Sequence, residues 1–355
     1  MREKRNKTKE VMIGKLTIGG RNPLRIKGML KTSTSDIEGI LREAKSLEEE
    51  GVEAIRLAIK NKTDIEILGR LRDLVSVPIV ADVHFDYRLA LLSIEAGFDG
   101  IRLNPLNIFK KKEVKEVAKE LKKAKISLRV GINAGGFKKK FTNNYVLAKE
   151  MVKRVSDYIN LIEGVGFFDT IVSLKTSNVW STLLANKEFA RRFNYPLHLG
   201  ITATGPFLEG VVKSCLGIGT MLSEGLGDII RVSLTAPSFW EIRVAKFILQ
   251  FLELRKFFPE IISCPTCSRC EVDLMSMVDK FRDRISKAEF SSFPSKIALM
   301  GCVVNGPGEA YQADIGIAFG KKKAVIFKNN KIVGWTNEKK ALDDLLDKIG
   351  GSIWK

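Results

Sequence analysis

The sequence has 355 residues, of which 45% are hydrophobic and 28% are charged, a balance typical of a globular chain with a full core. No run approaches eighteen uninterrupted apolar residues, which excludes a transmembrane helix, and the basic start Met1–Lys7 lacks the apolar stretch of a secretory signal. We therefore expect a cytoplasmic protein of two domains that has no membrane partner.

The formal net charge of +18 has three competing interpretations. A basic chain can bind nucleic acid, it can attract an anionic substrate or an acidic electron-carrier protein, or it can simply carry a lysine-rich solvated surface. The basic run Lys110–Lys123 places apolar residues at helical spacing and mixes both signs of charge. This pattern indicates an amphipathic helix with a solvated face, so no nucleic-acid partner is expected.

Short β-branched runs alternate with helical patterns from about residue 24 to residue 255. Such runs are typical of parallel strands covered on both faces. The predicted strands are Leu24–Met29, Ala54–Ala58, Pro78–Ala81, Gly100–Leu103, Ser127–Gly131, Thr170–Leu174, Leu197–Ile201 and Ile229–Val232. In the first helix after them, Asp36 is a predicted N-cap and Gly51 a predicted left-handed terminator.

Eight strand–helix units predict an α/β fold of the (β/α)8 TIM-like barrel type. The segment Lys15–Ile26 before them has the pattern of a hairpin that closes the bottom of the barrel. The alternation stops near Pro259, and a small α+β domain follows. We therefore predict a substrate-binding barrel over residues 1–258 and a cysteine-bearing domain over residues 259–355.

Cations and hydrogen-bonding side chains end nearly every predicted strand, where a barrel of this type holds its active site. Guanidinium and ammonium groups in this arrangement favour a phosphate or diphosphate ligand over isolated surface ion pairs. Both histidines of the chain, His84 and His198, also lie at strand ends. The cations are Arg56, Arg102, Arg129, Lys175 and Arg231.

Four of the five cysteines lie late in the chain, as Cys264, Cys267 and Cys270 and then Cys302. Clustered cysteines in a reducing compartment indicate a metal site. Glycines around Cys302 favour an iron–sulfur cluster, whose sulfurs accept backbone N–H bonds, over structural zinc. These four thiolates form one candidate ligand set, and Cys215 is expected to be a small buried apolar residue.

Several segments together resemble the bacterial 4-hydroxy-3-methylbut-2-enyl diphosphate synthase family of the non-mevalonate isoprenoid pathway. The resemblance covers nearly the whole chain. The matching segments are Ala81–Ala90, Arg102–Pro105, Arg129–Gly135, Ser173–Ser177, Pro196–Thr202, Gly225–Leu234, Ser263–Cys267 and Met300–Glu309.

The resemblance implies a [4Fe–4S] cluster held by Cys264, Cys267, Cys302 and Glu309, with Cys270 outside the ligand set. It implies reductive ring opening and dehydration of 2-C-methyl-D-erythritol 2,4-cyclodiphosphate, with ferredoxin or flavodoxin as electron donor. It also implies a homodimer in which the cluster domain of one subunit caps the barrel of the other.

Site residues are implied position by position. The catalytic residues would be Glu309, Asn305 and Thr202. The substrate-binding residues would be Arg56, His84, Arg102, Arg129, Asn133, Lys175, Arg231 and Ser233.

The sequence departs from the family pattern at the barrel mouth. Ala203 replaces a glutamate regarded as an active-site acid, Asn178 replaces an aspartate, Leu106 replaces a glycine, and the first strand reads Ile26–Met29. Three hypotheses follow: an active or slowed synthase, an iron–sulfur protein that acts on or senses another phosphorylated molecule, and a nucleic-acid-binding protein. The first agrees with most of the motifs.

Overall fold

A computed structural model of the chain describes residues 5–287, 294–303 and 310–350. The chain divides into two compact units, Met1–Lys256 and Phe257–Lys355.

The first unit begins with a hairpin and continues as alternating strands and helices. The hairpin strands are β1 (Glu10–Ile13) and β2 (Leu16–Gly19). The following strands are β3 (Arg25–Met29), β4 (Ala54–Ile59), β5 (Ile79–Val83), β6 (Gly100–Leu103), β7 (Ser127–Asn133), β8 (Thr170–Lys175), β9 (His198–Leu199) and β10 (Ile229–Ile230). The helices are α1 (Ile37–Glu49), α2 (Thr63–Leu74), α3 (Tyr87–Glu95), α4 (Lys111–Ala124), α5 (Asn144–Glu163), α6 (Val179–Arg192), α7 (Phe207–Ser223) and α8 (Ser238–Phe251).

The strands β3 to β10 form one parallel eight-stranded sheet in the order β8-β7-β6-β5-β4-β3-β10-β9. A parallel bridge between Val172 of β8 and Leu197, just before β9, joins its two edges. The sheet is therefore a nearly closed barrel, and the predicted fold class is confirmed.

The hairpin lies earlier in the chain than predicted. Its two strands pair from Glu10↔Gly19 to Ile13↔Leu16, whereas Arg25 and Ile26 pair with β10 and belong to the barrel. Its buried residues Val11, Ile13 and Ile18 pack against the early strand residues Val80, Ile171 and Ile229. The hairpin thus covers the amino ends of the strands, which leaves their carboxyl ends for a site.

Three local predictions were confirmed and one was wrong. The Asp36 side chain accepts a hydrogen bond from the Gly39 N–H and caps α1, and Gly51 takes a φ of 77° just after the helix. Helix α4 buries Val114, Val117, Ala118 and Leu121 and leaves most of its lysines exposed, as an amphipathic helix does. The prediction for Cys215 was wrong, because this thiol is exposed on α7.

The second unit contains a five-stranded mixed sheet in the order β11-β12-β13-β14-β15. Its elements are β11 (Glu260–Ser263), α9 (Leu274–Lys287), β12 (Lys296–Met300), β13 (Ile315–Phe319), β14 (Ala324–Lys328), β15 (Lys331–Thr336) and α10 (Ala341–Ile349). Strands β11 to β13 are parallel, and β14 and β15 are antiparallel additions. Residues of α9 and α10 share a buried core with one face of this sheet.

Among the described residues, no helix is long and apolar enough to cross a membrane.

Candidate active site

Cationic side chains converge inside the barrel near the carboxyl ends of its strands. In the parallel register, Arg102 of β6 lies opposite Arg129 of β7, and Lys175 at the end of β8 lies opposite Asn133. Arg56 of β4 lies opposite Met29 and Val80. Arg102, Arg129 and Lys175 are almost fully buried, so their charges are held away from bulk water.

Asp82 of β5 is the carboxylate that joins two of these cations. Arg102 Nη1 donates to its Oδ1 at 3.0 Å, and Arg56 Nε lies 3.4 Å from its Oδ2. Burial alone would raise the pKa of Asp82, but the charges of Arg56 and Arg102 lower it well below its usual value. Asp82 is therefore ionised across the physiological pH range and orients both guanidinium groups.

Arg102 also fixes His84. Its Nη1 donates to His84 Nε2 at 2.6 Å, and the Asn107 amide contacts the other ring nitrogen at 2.7 Å. The second terminal nitrogen of Arg102 donates to the carbonyl of Gly131 at 3.0 Å. One guanidinium therefore sets the positions of a carboxylate, an imidazole and a neighbouring strand end.

His198 is held as a neutral imidazole. Arg129 Nη1 contacts its Nδ1, and because a guanidinium only donates, Nδ1 accepts and the proton lies on Nε2. Burial and then the charge of Lys175 lower the pKa of His198 well below its ordinary value, which agrees with a neutral ring. Its Nε2 is buried without a hydrogen-bond partner among the described residues.

Lys175 lies against Gly200, where a Cβ would be 2.6 Å from Nζ and 2.5 Å from the carbonyl of Arg231. Only glycine permits this close approach of the next strand end to the ammonium group. Burial and then Arg129 lower the pKa of Lys175 well below its ordinary value.

Lys27 is a site residue that the sequence interpretation missed. It lies inside β3 with 2% of its surface exposed, and it borders the same small cavity as Arg129 and His198. The sequence departure at Ile26–Met29 was the available signal. Burial and then Arg129 lower the pKa of Lys27 well below its ordinary value.

A second buried carboxylate, Glu241 of α8, holds the segment that follows β10, the eighth strand of the barrel. Its Oε1 lies 2.8 Å from Lys31 Nζ and accepts the N–H of Leu234 at 2.9 Å. Its Oε2 is 3.8 Å from Arg231 Nε. Arg231 is thus anchored by ion pairing, and sequence reasoning had not included Glu241 or Lys31.

Positive charge exceeds negative charge in this region. This region contains six cations and two carboxylates. Asp82 pairs with Arg56 and Arg102, and Glu241 pairs with Arg231, so within the described residues three cations form no ion pair, namely Lys27, Arg129 and Lys175. The Nε atoms of Arg102, Arg129 and Arg231 are buried without a hydrogen-bond partner there. Buried polar groups are normally paired, so this arrangement is suited to an anion with several oxygens.

The remaining barrel residues predicted for the site are Asn133, Thr202 and Ser233, and each is half-buried at a strand end. The Thr204 hydroxyl donates to the Ser233 carbonyl and connects the loop after β9 to the loop after β10. In that loop Ala203 is exposed and has a φ of 50°. No carboxylate occupies this position.

Asn178 has a structural role that explains why asparagine can replace the aspartate of the family pattern at this position. Its side chain accepts a hydrogen bond from the Ser181 N–H at 2.9 Å and caps α6. Asparagine and aspartate are equally good N-caps.

Three of the four predicted cluster ligands lie at the end of two parallel strands in the second unit. Cys264 follows β11, and Cys302 follows β12 after Gly301, so both lie at the same edge of the sheet. The Gly301 N–H donates to Cys264 Sγ at 3.4 Å. Cys267 is exposed in the same loop, and Cys302 is buried.

Cys270 also lies against Gly301. A Cβ on Gly301 would be 2.3 Å from its sulfur, and its thiol donates to the Val272 carbonyl at 3.2 Å. Among the residues that the structure describes, no three Cys, His, Asp or Glu side chains are grouped closely enough to hold a metal ion. The predicted ligand Glu309 and the predicted catalytic Asn305 lie outside the described residues.

These donors nevertheless fit an iron–sulfur cofactor. Thiolates at one sheet edge with a backbone N–H directed at a ligand sulfur are the environment that such a cofactor requires.

Together, the fold and the site define a (β/α)8-barrel protein with a cluster of buried cations and an appended cysteine domain. Two family models match the chain, the GcpE TIM-barrel domain over residues 8–246 and the GcpE protein C-terminal domain over residues 260–350. The chain belongs to the GcpE family.

Curated relatives agree with this assignment. A 4-hydroxy-3-methylbut-2-en-1-yl diphosphate synthase (flavodoxin) of Caldanaerobacter subterraneus subsp. tengcongensis is 44% identical over 347 residues, with 97% of each chain covered. The protein of the same name from Thermodesulfovibrio yellowstonii is 42% identical over 348 residues, covering 98% of this chain and 99% of its own.

The solved structures that are similar match only part of the chain. Dihydropteroate synthase of Yersinia pestis matches with a TM-score of 0.53 at 14% identity, covering 69% of this chain and 97% of its own. Type I 3-dehydroquinate dehydratase of Clostridium difficile matches with a TM-score of 0.52 at 15% identity, covering 69% and 98%. At these identities the similarity shows a common fold.

Replacement of Lys27 by methionine should stabilise the protein without ligand. The folded pKa of Lys27 is below its ordinary value of 10.5, so the unfolded chain binds more protons between these two values and stability there rises with pH. The gain in unfolding free energy from Lys27→Met, about 1–4 kcal/mol, is therefore full below the folded pKa and declines as pH rises towards 10.5. Urea unfolding across this pH range measures it.

Lys119→Met, on the exposed side of α4, is the matched control and should change the unfolding free energy little at any pH. A Lys27→Met gain that does not depend on pH would show that the ammonium charge is not the cause.

Proposed function

We propose that this protein converts 2-C-methyl-D-erythritol 2,4-cyclodiphosphate to 4-hydroxy-3-methylbut-2-enyl diphosphate. Two electrons and two protons are consumed, the ring C–O bond is cleaved, and one oxygen leaves as water. The observation that carries the proposal is the buried excess of positive charge at the barrel mouth, combined with the cysteine motif of the same chain. Neither an ordinary surface ion-pair network nor a nucleic-acid interface buries its cations inside a barrel.

The barrel residues would bind the diphosphate and exclude water from it. Arg102, Arg129 and Arg231 each have a buried Nε–H that a phosphate oxygen can accept from. Asn133 and Ser233 supply neutral donors at the rim. Because the arginines are already oriented by Asp82, Glu241 and strand carbonyls, little reorganisation is needed when the anion enters.

Anion binding should also change protonation. An anion beside Lys27 and Lys175 favours their charged forms, so binding would raise the lowered pKa of each of these two lysines. His84 and Thr202 would lie at the reacting end of the substrate, where His84 is held by Arg102.

Cys264, Cys267 and Cys302 would hold the [4Fe–4S] cluster, with Glu309 as the fourth ligand and Asn305 beside it. When bound, the cluster supplies the electrons one at a time and a Lewis-acidic iron for the departing oxygen. The buried Cys302 and the Gly301 N–H favour this unit as its site.

We further propose a flavodoxin as electron donor, since the similar proteins carry that word in their names, or a ferredoxin of comparable charge. A homodimer and a cytoplasmic location complete the proposal.

Anaerobic turnover of the cyclodiphosphate by cluster-reconstituted protein, with dithionite as reductant, tests the proposal. Formation of the allylic diphosphate is the expected result. Protein that contains the cluster and binds the cyclodiphosphate but never reduces it would contradict the proposal and favour a different phosphorylated substrate. Lys175→Met should weaken substrate binding by at least about tenfold, because it removes a buried ammonium group.

Restoration of a carboxylate at position 203 should accelerate turnover. A positioned general acid contributes about 10²–10⁴ in rate, and Ala203 is exposed at the barrel mouth. Ala203→Glu is expected to raise kcat by about tenfold or more. Ala203→Gln introduces a side chain of the same shape as glutamate but without an acidic proton, and it should leave kcat near the original value. Equal rates for both variants would show that water or another group already supplies the proton.

The ligand assignment predicts opposite effects for two substitutions. Glu309→Ala should lower iron content and visible absorption after anaerobic reconstitution, because one iron loses its protein ligand. Cys270→Ser should retain both, since the Cys270 thiol is bonded to the Val272 carbonyl. The reverse pattern would exchange the two residues in the ligand set.

A further inference from the structure

An apolar groove with a lysine rim lies on the second unit, beside the loop that contains Cys302. The groove has a volume of about 770 Å³, and Val303, Tyr311, Val325, Phe327, Ile332 and Trp335 are among its lining residues. Trp335 is 66% exposed, and Tyr311 and Ile332 are similarly exposed. Such a cluster of exposed aromatic and aliphatic side chains is typical of an interaction surface.

Strand pairing explains why these side chains share a face. Val325 and Phe327 alternate with Ala324 and Ile326, which pack into the core on the other side of the sheet. Val325 pairs with Trp335, and Phe327 pairs with Ile332 across a bulge. The bulge adds one residue to β15, so Ile332 and Trp335 lie on one face although they are three residues apart.

The rim of the groove is positively charged. Lys321, Lys322 and Lys323 form the turn between β13 and β14 and border the groove. Residues 315–337 contain five lysines and no aspartate or glutamate. A mixed solvated surface would contain both signs of charge, whereas this segment contains one.

The groove begins next to a predicted cluster ligand. Val303 follows Cys302, and its Cγ1 is 3.5 Å from the position that a Cβ on Gly320 would take. The lysine turn therefore lies beside the cysteine loop, and a protein bound in the groove would lie near Cys302. Electron transfer requires such proximity, since its rate falls steeply with distance.

We propose that this groove, with its Lys321–Lys323 rim, is the docking surface for an acidic one-electron carrier protein of the flavodoxin type; the inference rests on the proposed function. An apolar centre with a charged rim is suited to a transient complex, in which complementary charge accelerates association more than it adds affinity. Redox complexes are usually small, below about 1,200 Å². At each encounter the carrier loses one electron and the protein gains one.

A second copy of the chain is a poorer occupant. A symmetric contact through this face would bring two Lys321–Lys323 rims together. The charge of the rim instead favours a partner of opposite sign.

The experiment measures binding of a purified acidic flavodoxin to the cluster-reconstituted protein by calorimetry. The triple variant Lys321→Gln, Lys322→Gln, Lys323→Gln should raise Kd by about tenfold at about 0.01 M salt, and the difference should shrink near 1 M salt, where charges are screened. Trp335→Ala should weaken binding at both salt concentrations. The control triple Lys119→Gln, Lys122→Gln, Lys123→Gln removes the same charge from α4, where all three are exposed, and should bind normally.

The second readout is the rate at which the cluster is reduced. Reduced flavodoxin should react about tenfold more slowly with the rim variant, while reduction by dithionite is unchanged. Equal flavodoxin affinity and rate for the rim variant, the control variant and the original protein would overturn the docking proposal. So would a rim variant that alters only oligomeric state or oligonucleotide binding. Failure of dithionite-driven turnover with rim-dependent flavodoxin binding intact would instead refute the proposed reaction.

Discussion

The buried positive charge inside the barrel is the constraint on which the first unit depends. Four of its six cations are almost fully buried, and each would be costly to desolvate alone. Asp82 offsets part of the cost by accepting from Arg102 and facing Arg56, and Glu241 does the same for Arg231. Hydrogen bonds of the arginines to the Gly131 carbonyl and to the His198 ring reduce the remaining desolvation cost. Burial also lowers the pKa values of Lys27 and Lys175, which disfavours their charged forms. An anion bound as proposed would offset the remaining desolvation cost and would therefore couple folding stability to ligand binding.

Parallel-strand geometry explains why much of the site could be predicted from sequence. Residues at the carboxyl ends of consecutive strands converge in a barrel. The sequence alone therefore predicts one group of cations, which contains Arg56, Arg102, Arg129 and Lys175. Lys27 was missed for a physical reason. A lysine inside an apolar strand run is ordinarily expected to point to solvent, and only the closed barrel shows that this strand position faces Arg129 and His198.

The limits of the strand predictions have similar causes. Strands β9 and β10 were predicted over five and four residues but contain two each, because the chain at Gly200 already packs against the Arg231 carbonyl and Lys175. The periodicity of apolar residues does not reveal such contacts between distant segments. The predicted hairpin Lys15–Ile26 overlapped the first predicted strand, Leu24–Met29, and the pairing with β10 assigns Arg25 and Ile26 to the barrel alone. Cysteine spacing likewise could not separate Cys270 from the other thiols, and it gave no sign of the hydrogen bond from the Cys270 thiol to the Val272 carbonyl.

Positive charge acts at two different ranges in this chain. In the barrel it is desolvated, paired by fixed partners and little affected by salt, so it can select an anion by geometry. On the Lys321–Lys323 turn it is solvated and screened within about 10 Å at 0.1 M salt, so it can only guide an approaching partner. Under the proposed function, the same net charge would therefore support tight recognition of a small ligand and weak, rapid contact with a protein. A reductase that receives its electrons singly needs both, because its substrate must stay bound while one carrier molecule leaves and the next arrives.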